Sequence, residues 1–189
     1  MIWATTPEVT MRIGIYGGAF NPPHVGHLKV MIHALAMGRL NRIHVVPTWK
    51  HAFGKDMVDF DDRIEMVAKL IRPYRKNIVV HDYERRFQTT YTIDLIEKLL
   101  VEEHLNRPFS WSQPDTYVLI IGQDNMDIAH KWHRWDELVK MVEIMVVPEC
   151  GHERSTLVRE AYADRDEVTV KKMVPPTVRA YIKKRKLYI

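Results

Sequence analysis

Cysteine is nearly missing from this chain: Cys150 is the single one among 189 residues. Without a second thiol no intrachain disulfide can form, and the composition suits a reducing cytoplasm. Long apolar runs are missing as well. No stretch approaches the roughly 20 residues that span a bilayer, so a membrane function is not expected. Residues 1–10 lack the basic start and apolar core of a signal peptide. They read as an extension ahead of the first strand, which leaves residues 11–189 as one domain. There is no internal repeat or low-complexity tract. What is present is ordinary for a soluble globular chain, 46% hydrophobic and 28% charged, and long enough to bury its own core. The net charge of +4 would attract nucleic acid, but it equally suits a protein that handles phosphorylated small molecules. The densest basic run, Lys183, Lys184, Arg185 and Lys186, reads as the solvated last turn of a helix. No aromatic or motif context makes it a DNA-binding tail, so no nucleic-acid partner is expected.

Short β-rich runs alternate with longer amphipathic stretches. Residues 11–16 (MRIGIY), 42–47 (RIHVVP), 78–81, 117–121 (YVLII) and 144–147 read as strands. The unbroken apolar run at 117–121 suits a strand buried on both faces. Helices are expected at 27–37, 61–72, 92–104, 135–141 and 177–185. In the second of these Ile64, Met66, Val67, Leu70 and Ile71 fall at helix-face spacing, and in the third Ile93, Ile96, Leu99 and Leu100 do. Pro175-Pro176 opens the last one. Residues 106–115 (NRPFSWSQPD) crowd turn formers and read as a surface loop. Strand-helix alternation of this kind argues for an α/β fold, a parallel sheet with helices on both faces. Ligands of such sheets sit beyond the carboxyl ends of the strands, so the loops after strands are where chemistry is to be sought.

The loop after the first strand, residues 17–27, reads GGAFNPPHVGH. Its glycines, Gly18 among them, allow positive φ and a close approach of backbone N–H groups to a bound group. Pro22-Pro23 stiffens the turn, and a helix starts near Gly26 or His27 with free N–H groups and a positive dipole end, an anion site. His24 and His27 lie three apart, so both can face one side of that helix start. The pattern is neither the G-x-G-x-x-G fingerprint nor a P-loop, whose glycine and lysine spacings are absent. H-x-x-H also lacks the spacing and glutamate of the usual helical zinc motif.

GGAFNPPHVGH resembles the G-x-F-x-P-x-H-x-G-H signature of the nucleotidylyltransferase superfamily. The resemblance implies a Rossmann-like doubly wound parallel sheet, with His24 and His27 contacting ATP phosphates and stabilising charge during transfer. Gly18, Ala19 and Phe20 belong to the same nucleotide-binding turn. Three further segments narrow the family to the bacterial nicotinate/nicotinamide mononucleotide adenylyltransferases. Gly122-Gln123-Asp124 followed by Trp132 resembles that family's G-x-D…W, which implies that Gly122 and Asp124 bind nucleotide and Trp132 stacks on a pyridine ring. On residue type alone, an acid past a strand end can hold a ribose hydroxyl, and a loop tryptophan can stack or pack; Trp135 reads as packing. Thr90-Tyr91-Thr92 resembles the segment lining the mononucleotide pocket, although hydroxyls before a helix also serve as caps. Arg154-Ser155-Thr156-Leu157-Val158-Arg159 resembles S-S-T-x-I/V-R, with Arg154 in place of the first serine. It implies that Ser155, Thr156 and Arg159 grip ATP phosphates; the plainer reading of Arg159 is a surface ion pair. The closing VPPTVRAYIKKRKLY resembles the family's structural last segment, so the likeness runs from residue 11 to 189.

The chain departs from the family after the second strand, where a P-P-H-K segment is replaced by WKHAFGK at 49–55. Either Lys50 or Lys55 could reach a substrate phosphate there, and nicotinate versus nicotinamide preference stays open. The expected partners are therefore ATP and a pyridine mononucleotide, with Mg²⁺ accompanying ATP, few protein ligands to the ion, and an undecided oligomeric state. The expected reaction releases pyrophosphate in the making of NAD. Other acceptors within the superfamily, phosphopantetheine or cytidylyl type, and a non-catalytic nucleotide-binding module are the competing readings.

Overall fold

Branched and aromatic residues alternate along β1 (Arg12–Gly18) and β2 (Arg42–Pro47), and the alternation sends successive side chains to opposite faces. With β3 (Ile78–Val80), β4 (Thr116–Gly122) and β5 (Glu143–Val147) they form one parallel sheet in the order β3-β2-β1-β4-β5. The structure, a computed structural model, describes residues 10–50, 54, 56–106, 114–148 and 151–188.

On one face Tyr16, Ile43, Val45, Val118 and Ile120 meet α1 (Val25–Met37) and α2 (Phe60–Ile71) through Met31, Ala34, Met66, Val67 and Leu70. Gly14 leaves room there; a Cβ would stand 2.6 Å from Ile120 Cδ1 and 2.7 Å from Leu40 Cδ1. On the other face Ile13, Ile15, Val46, Leu119 and Ile121 meet α3 (Tyr83–Phe87), α4 (Thr92–Asn106) and α6 (Trp135–Met141), through Tyr83, Ile93, Ile96, Leu99 and Leu138. The four-residue α5 (Gln123–Met126) follows β4. After β5 come α7 (Ser155–Ala163), α8 (Glu167–Met173) and α9 (Pro176–Arg185), and Val158, Val178 and Ile182 add to the first face.

The sheet is wound in both directions from β1, as the family resemblance implies. The chain moves outward through β2 and β3, then returns to the opposite side of β1 as β4. The two strands at this reversal, β1 and β4, end side by side at Gly18 and Gly122, and the crevice between them is the ligand position of a doubly wound sheet. Among the described residues no helix is long and apolar enough to cross a membrane.

Local differences from the sequence reading have physical causes. β1 runs on through Gly17 and Gly18 because both pair with β2, at Val46 and Pro47. α1 starts at Val25, ahead of Gly26, because the His24 side chain caps it. α3, α5 and α8 carry too few turns for a periodic signal. Most of the expected 106–115 loop, and nearly all of the 1–10 extension, lie outside the described residues.

Ile43 is fully buried between β1 and α2, so Ile43→Ala leaves a cavity costing about 3 kcal/mol and lowers the melting temperature by roughly 6–12 °C. Val101→Ala, at a 56% exposed position of α4, moves it by less than about 2 °C in the same calorimetric scan.

Candidate active site

The turn after β1 sets the site. Phe20 takes the left-handed backbone region (φ 47°), the Asn21–Pro22 peptide is cis, and the chain enters α1 with His24 at the N-cap. The His24 Nδ1 accepts the Gly26 N–H at 3.1 Å, and the His27 Nδ1 accepts the His24 N–H at 3.2 Å. These two bonds assign both tautomers: each ring keeps its proton on Nε2, which is left as a donor. The ring centroids lie 3.8 Å apart. Gly26 is required here, because a Cβ would stand 2.9 Å from the His24 ring. Burial lowers the His24 pKa to about 4, against the raising field of Glu153. Burial, and then His24 itself, holds His27 well below its ordinary value. Both imidazoles are therefore neutral donors near pH 7. The first turn of α1 carries no acidic residue, so its positive end stays uncompensated.

The turn is held from behind. Arg63, on the apolar face of α2 and 1% exposed, donates to the carbonyls of Ala19 (3.0 Å), Thr48 (2.6 Å) and Val58 (3.0 Å). Arg159 donates to Asn21 O at 2.7 Å and to Thr156 Oγ1 at 3.2 Å, and Ser155 Oγ donates to Pro22 O at 2.9 Å. Phe20 is buried beneath, its ring 4.8 Å from that of His27.

A cleft of about 760 Å³ opens beyond the ends of β1 and β4. Gly18, Ala19, His24 and His27 line it from one side, and Gly122 and Asp124 from the next strand. Ser155 and Thr156 close it at the start of α7. Thr90, Tyr91, Thr92 and Trp132 form its other end. That end is tied together by Arg134, in the left-handed region (φ 52°), whose guanidinium reaches Glu97 (2.8 Å) and Asp94 (3.7 Å) on α4. The Tyr91 ring lies 4.4 Å from that of His133. Trp132 and Trp135 meet edge to face at 5.8 Å and pack on the second core, Trp132 keeping a side toward the cleft. Asp124 sits just past β4, its Oδ1 accepting the Asn125 N–H at 2.9 Å and its Oδ2 3.6 Å from the Arg154 guanidinium.

Twelve of the residues singled out in the sequence thus share one wall. Phe20 and Arg159 do not: Phe20 supports the turn from below, and Arg159 is turned to the Asn21 carbonyl. Lys50 is likewise absent from the wall, its ammonium 4.2 Å over the Trp49 ring, and Lys55 lies outside the described residues. Three charged residues of the site, Arg63, Glu84 and Glu153, escaped the sequence reading, and a fourth, Arg154, entered it only as a departure from the motif. Arg63 left a signal, since Arg63, Met66, Val67 and Leu70 fall on one helix face and a charge there must be paired. Glu84, buried in the cleft wall, accepts the Trp49 N–H at 2.8 Å, and burial pushes its carboxyl up to about 7 against that bond and Arg63. In YERRF it reads as one more solvated charge. Glu153, paired with Lys29 at 2.6 Å, and Arg154 both line the cleft, and only the fold brings them there.

A family model described as Cytidylyltransferase-like matches residues 15–178. The chain is 32% identical over 189 residues to a protein of Anaeromyxobacter dehalogenans (strain 2CP-1 / ATCC BAA-258) named probable nicotinate-nucleotide adenylyltransferase, covering 94% of this chain and 96% of that protein. A protein of the same name from Thermotoga maritima is 32% identical over 159 residues, 83% of this chain and 72% of the other. In fold it is similar to the Plasmodium falciparum nicotinic acid mononucleotide adenylyltransferase complexed with NaAD, with a TM-score of 0.74, 22% identity and coverage of 94% and 97%.

The buried imidazoles predict acid sensitivity. A histidine whose folded pKa lies below 6.5 leaves the unfolded chain binding more protons in the window between the two values. Stability is then full above pH 6.5 and falls as the pH drops toward 4. His24 alone accounts for about 1 kcal/mol lost at pH 5.5. Urea midpoints of the ligand-free protein should fall over that range, and His24→Asn should flatten the fall. An equal slope in wild type and variant counts against the assignment.

Proposed function

The chain belongs to the cytidylyltransferase-like family and, within it, to the nicotinate-nucleotide adenylyltransferases, and we propose on that footing that its cleft joins ATP to nicotinate mononucleotide. The products are deamido-NAD and pyrophosphate, in the making of NAD. The observation that carries this reading is the division of one cleft into two chemically distinct ends. His24, His27 and the start of α1 offer donors and a positive dipole to a polyphosphate, while Trp132 and Thr90–Tyr91–Thr92 offer a flat ring and a helix start to a pyridine nucleotide.

A phosphate oxygen of the mononucleotide attacks the α-phosphorus of ATP. The bond from that phosphorus to the oxygen bridging toward the β-phosphate breaks, and pyrophosphate leaves with the electron pair. The attacking phosphate is already an anion, so no side-chain nucleophile is needed, and the protein contributes alignment and charge stabilisation. His24 and His27 donate their Nε2–H to the phosphates as charge builds on the leaving group. An arriving polyanion favours the protonated imidazoles and raises their depressed pKa values. Ser155 and Thr156 meet the same phosphates, and Arg154, from the same helix start, serves where the inward arginine was expected. Arg159 acts through the turn it holds. Asp124 accepts from ribose hydroxyls. Lys50 and Lys55 follow β2 in the sequence and are the candidates for the acceptor phosphate.

Mg²⁺ would enter with the substrate, as MgATP, and would neutralise charge on its phosphates. Among the described residues no three His, Cys, Asp or Glu converge on a common metal position. A cytoplasmic location fits the lone thiol and the nucleotide substrates.

Pyrophosphate release measured with ATP, Mg²⁺ and either nicotinate or nicotinamide mononucleotide tests the reading. Turnover with the nicotinate form is expected to exceed that with the amide. Silence with both, and release with phosphopantetheine or a cytidylyl acceptor, would overturn it. His24→Ala and His27→Ala should each lower kcat about 10²–10³-fold. Trp132→Ala should raise KM for the mononucleotide about tenfold or more, with KM for ATP held within about twofold.

A further inference from the structure

The turn that carries His24 is also held from the far end of the chain. Past α9, Lys186 takes the left-handed region (φ 54°), its N–H bonding back to Lys183 O, and the Leu187 N–H bonds to Ile182 O at 3.0 Å. Tyr188 follows with φ 59°, a backbone conformation bulky residues rarely adopt. This return path delivers the Tyr188 hydroxyl to Asn21 Oδ1 at 2.6 Å. Burial pushes the phenol pKa up, so the hydroxyl keeps its proton and donates.

Asn21 is 3% exposed and sits where four parts of the protein meet. Its backbone carbonyl accepts Arg159 of α7 at 2.7 Å, and its Nδ2 reaches Asp56 O at 3.4 Å. Its Oδ1 accepts the Val58 N–H at 3.3 Å in addition to Tyr188. The Tyr188 bond is the short one of the pair. Asn21 stands three residues before His24, so whatever orients its side chain orients the entry to α1.

We propose that Tyr188 is a positioning residue for the transfer reaction: by donating to the Asn21 side chain it fixes residues 21–24, and through them the two imidazoles that meet the triphosphate. The proposal rests on the adenylyl-transfer reading above. Without the hydroxyl, Asn21 Oδ1 keeps only its longer bond, and the turn samples other placements of His24. The network touches Asn21, Asp56, Val58 and Arg159 and leaves the Thr90–Trp132 end of the cleft alone. The loss therefore falls on kcat and spares the KM of the mononucleotide.

Tyr188→Phe tests this while keeping the ring, whose centroid lies 6.2 Å from that of Tyr162. The expected result is a kcat lower by about tenfold, a mononucleotide KM within about twofold, and a nearly unchanged melting temperature. Unchanged kcat, a KM that rises in step, or a kcat loss that disappears on cooling below the variant's melting range sinks the idea. If one hydrogen bond is responsible, Asn21→Ala combined with Tyr188→Phe loses no more than Asn21→Ala alone; additive losses speak against it. Amide hydrogen exchange provides a readout independent of turnover. Faster exchange at residues 21–27 but not at 90–92 in Tyr188→Phe supports the role, and uniform exchange refutes it. Absence of turnover in the wild type overturns the functional reading instead, and the exchange result still decides the role of Tyr188.

Discussion

Arg63 carries a full charge into the interior, and the arrangement of the cleft depends on where its donors go. Its three hydrogen bonds end on Ala19, Thr48 and Val58, so one guanidinium ties the turn after β1 to the exit of β2 and to the segment leading into α2. Burial lowers its pKa, and the nearby charges of Glu84 and Asp59 work against that effect. A buried cation with satisfied partners is costly to remove from one side only, because three carbonyls would lose their donor together. Glu84 completes the arrangement by accepting the Trp49 N–H, which fixes the chain just after Thr48. The carbonyls of Ala19, Asn21 and Pro22 are held from behind, and the turn's own N–H groups fix the two imidazoles, which leaves their Nε2–H free to face the cleft.

That division between a committed back and an open front also explains the electrostatics. The imidazoles are buried and neutral, the start of α1 has no acidic residue, and Asp124 is held near Arg154 at the other strand end. Little in the turn has to reorganise when an anion arrives. A reaction that needs no side-chain nucleophile draws most of its acceleration from fixed donors that stabilise the developing charge. Tyr188 extends the same logic to the end of the chain, adding a donor to the residue on which α7, the post-β2 segment and the turn converge.

Much of this was legible in the sequence. The alternation of β-rich and amphipathic runs was enough for a parallel sheet covered on both faces, since a strand such as YVLII buried on both faces requires helices on either side, and the doubly wound strand order came from the family resemblance. His24, His27, Asp124, Ser155, Thr90 and Trp132 were recognisable because each stands at a strand end or helix start, where ligands of such sheets bind, and the cleft brings them together. Arg159 meets a different oxygen from the one its motif implies, for a definite reason. Residue type and motif say that a guanidinium seeks an oxygen, but they do not say whether the oxygen belongs to a ligand or to the Asn21 carbonyl. α1 starts two residues ahead of His27 because His24 caps it; histidine is not a preferred cap, and only the fold back over Gly26 lets its ring serve as one.

Local spacing by itself determined the strands, the principal helices and the glycine-rich turn, because each depends on residues within about one turn or one strand of one another. The tertiary structure alone decided which charges face the cleft and which support it. Glu84, Arg63, Arg154 and Tyr188 acquire their roles from partners such as Trp49, Ala19, Asp124 and Asn21, most of them tens of residues away or more, and a guanidinium, carboxylate or hydroxyl looks the same in sequence whether it meets water, backbone or substrate.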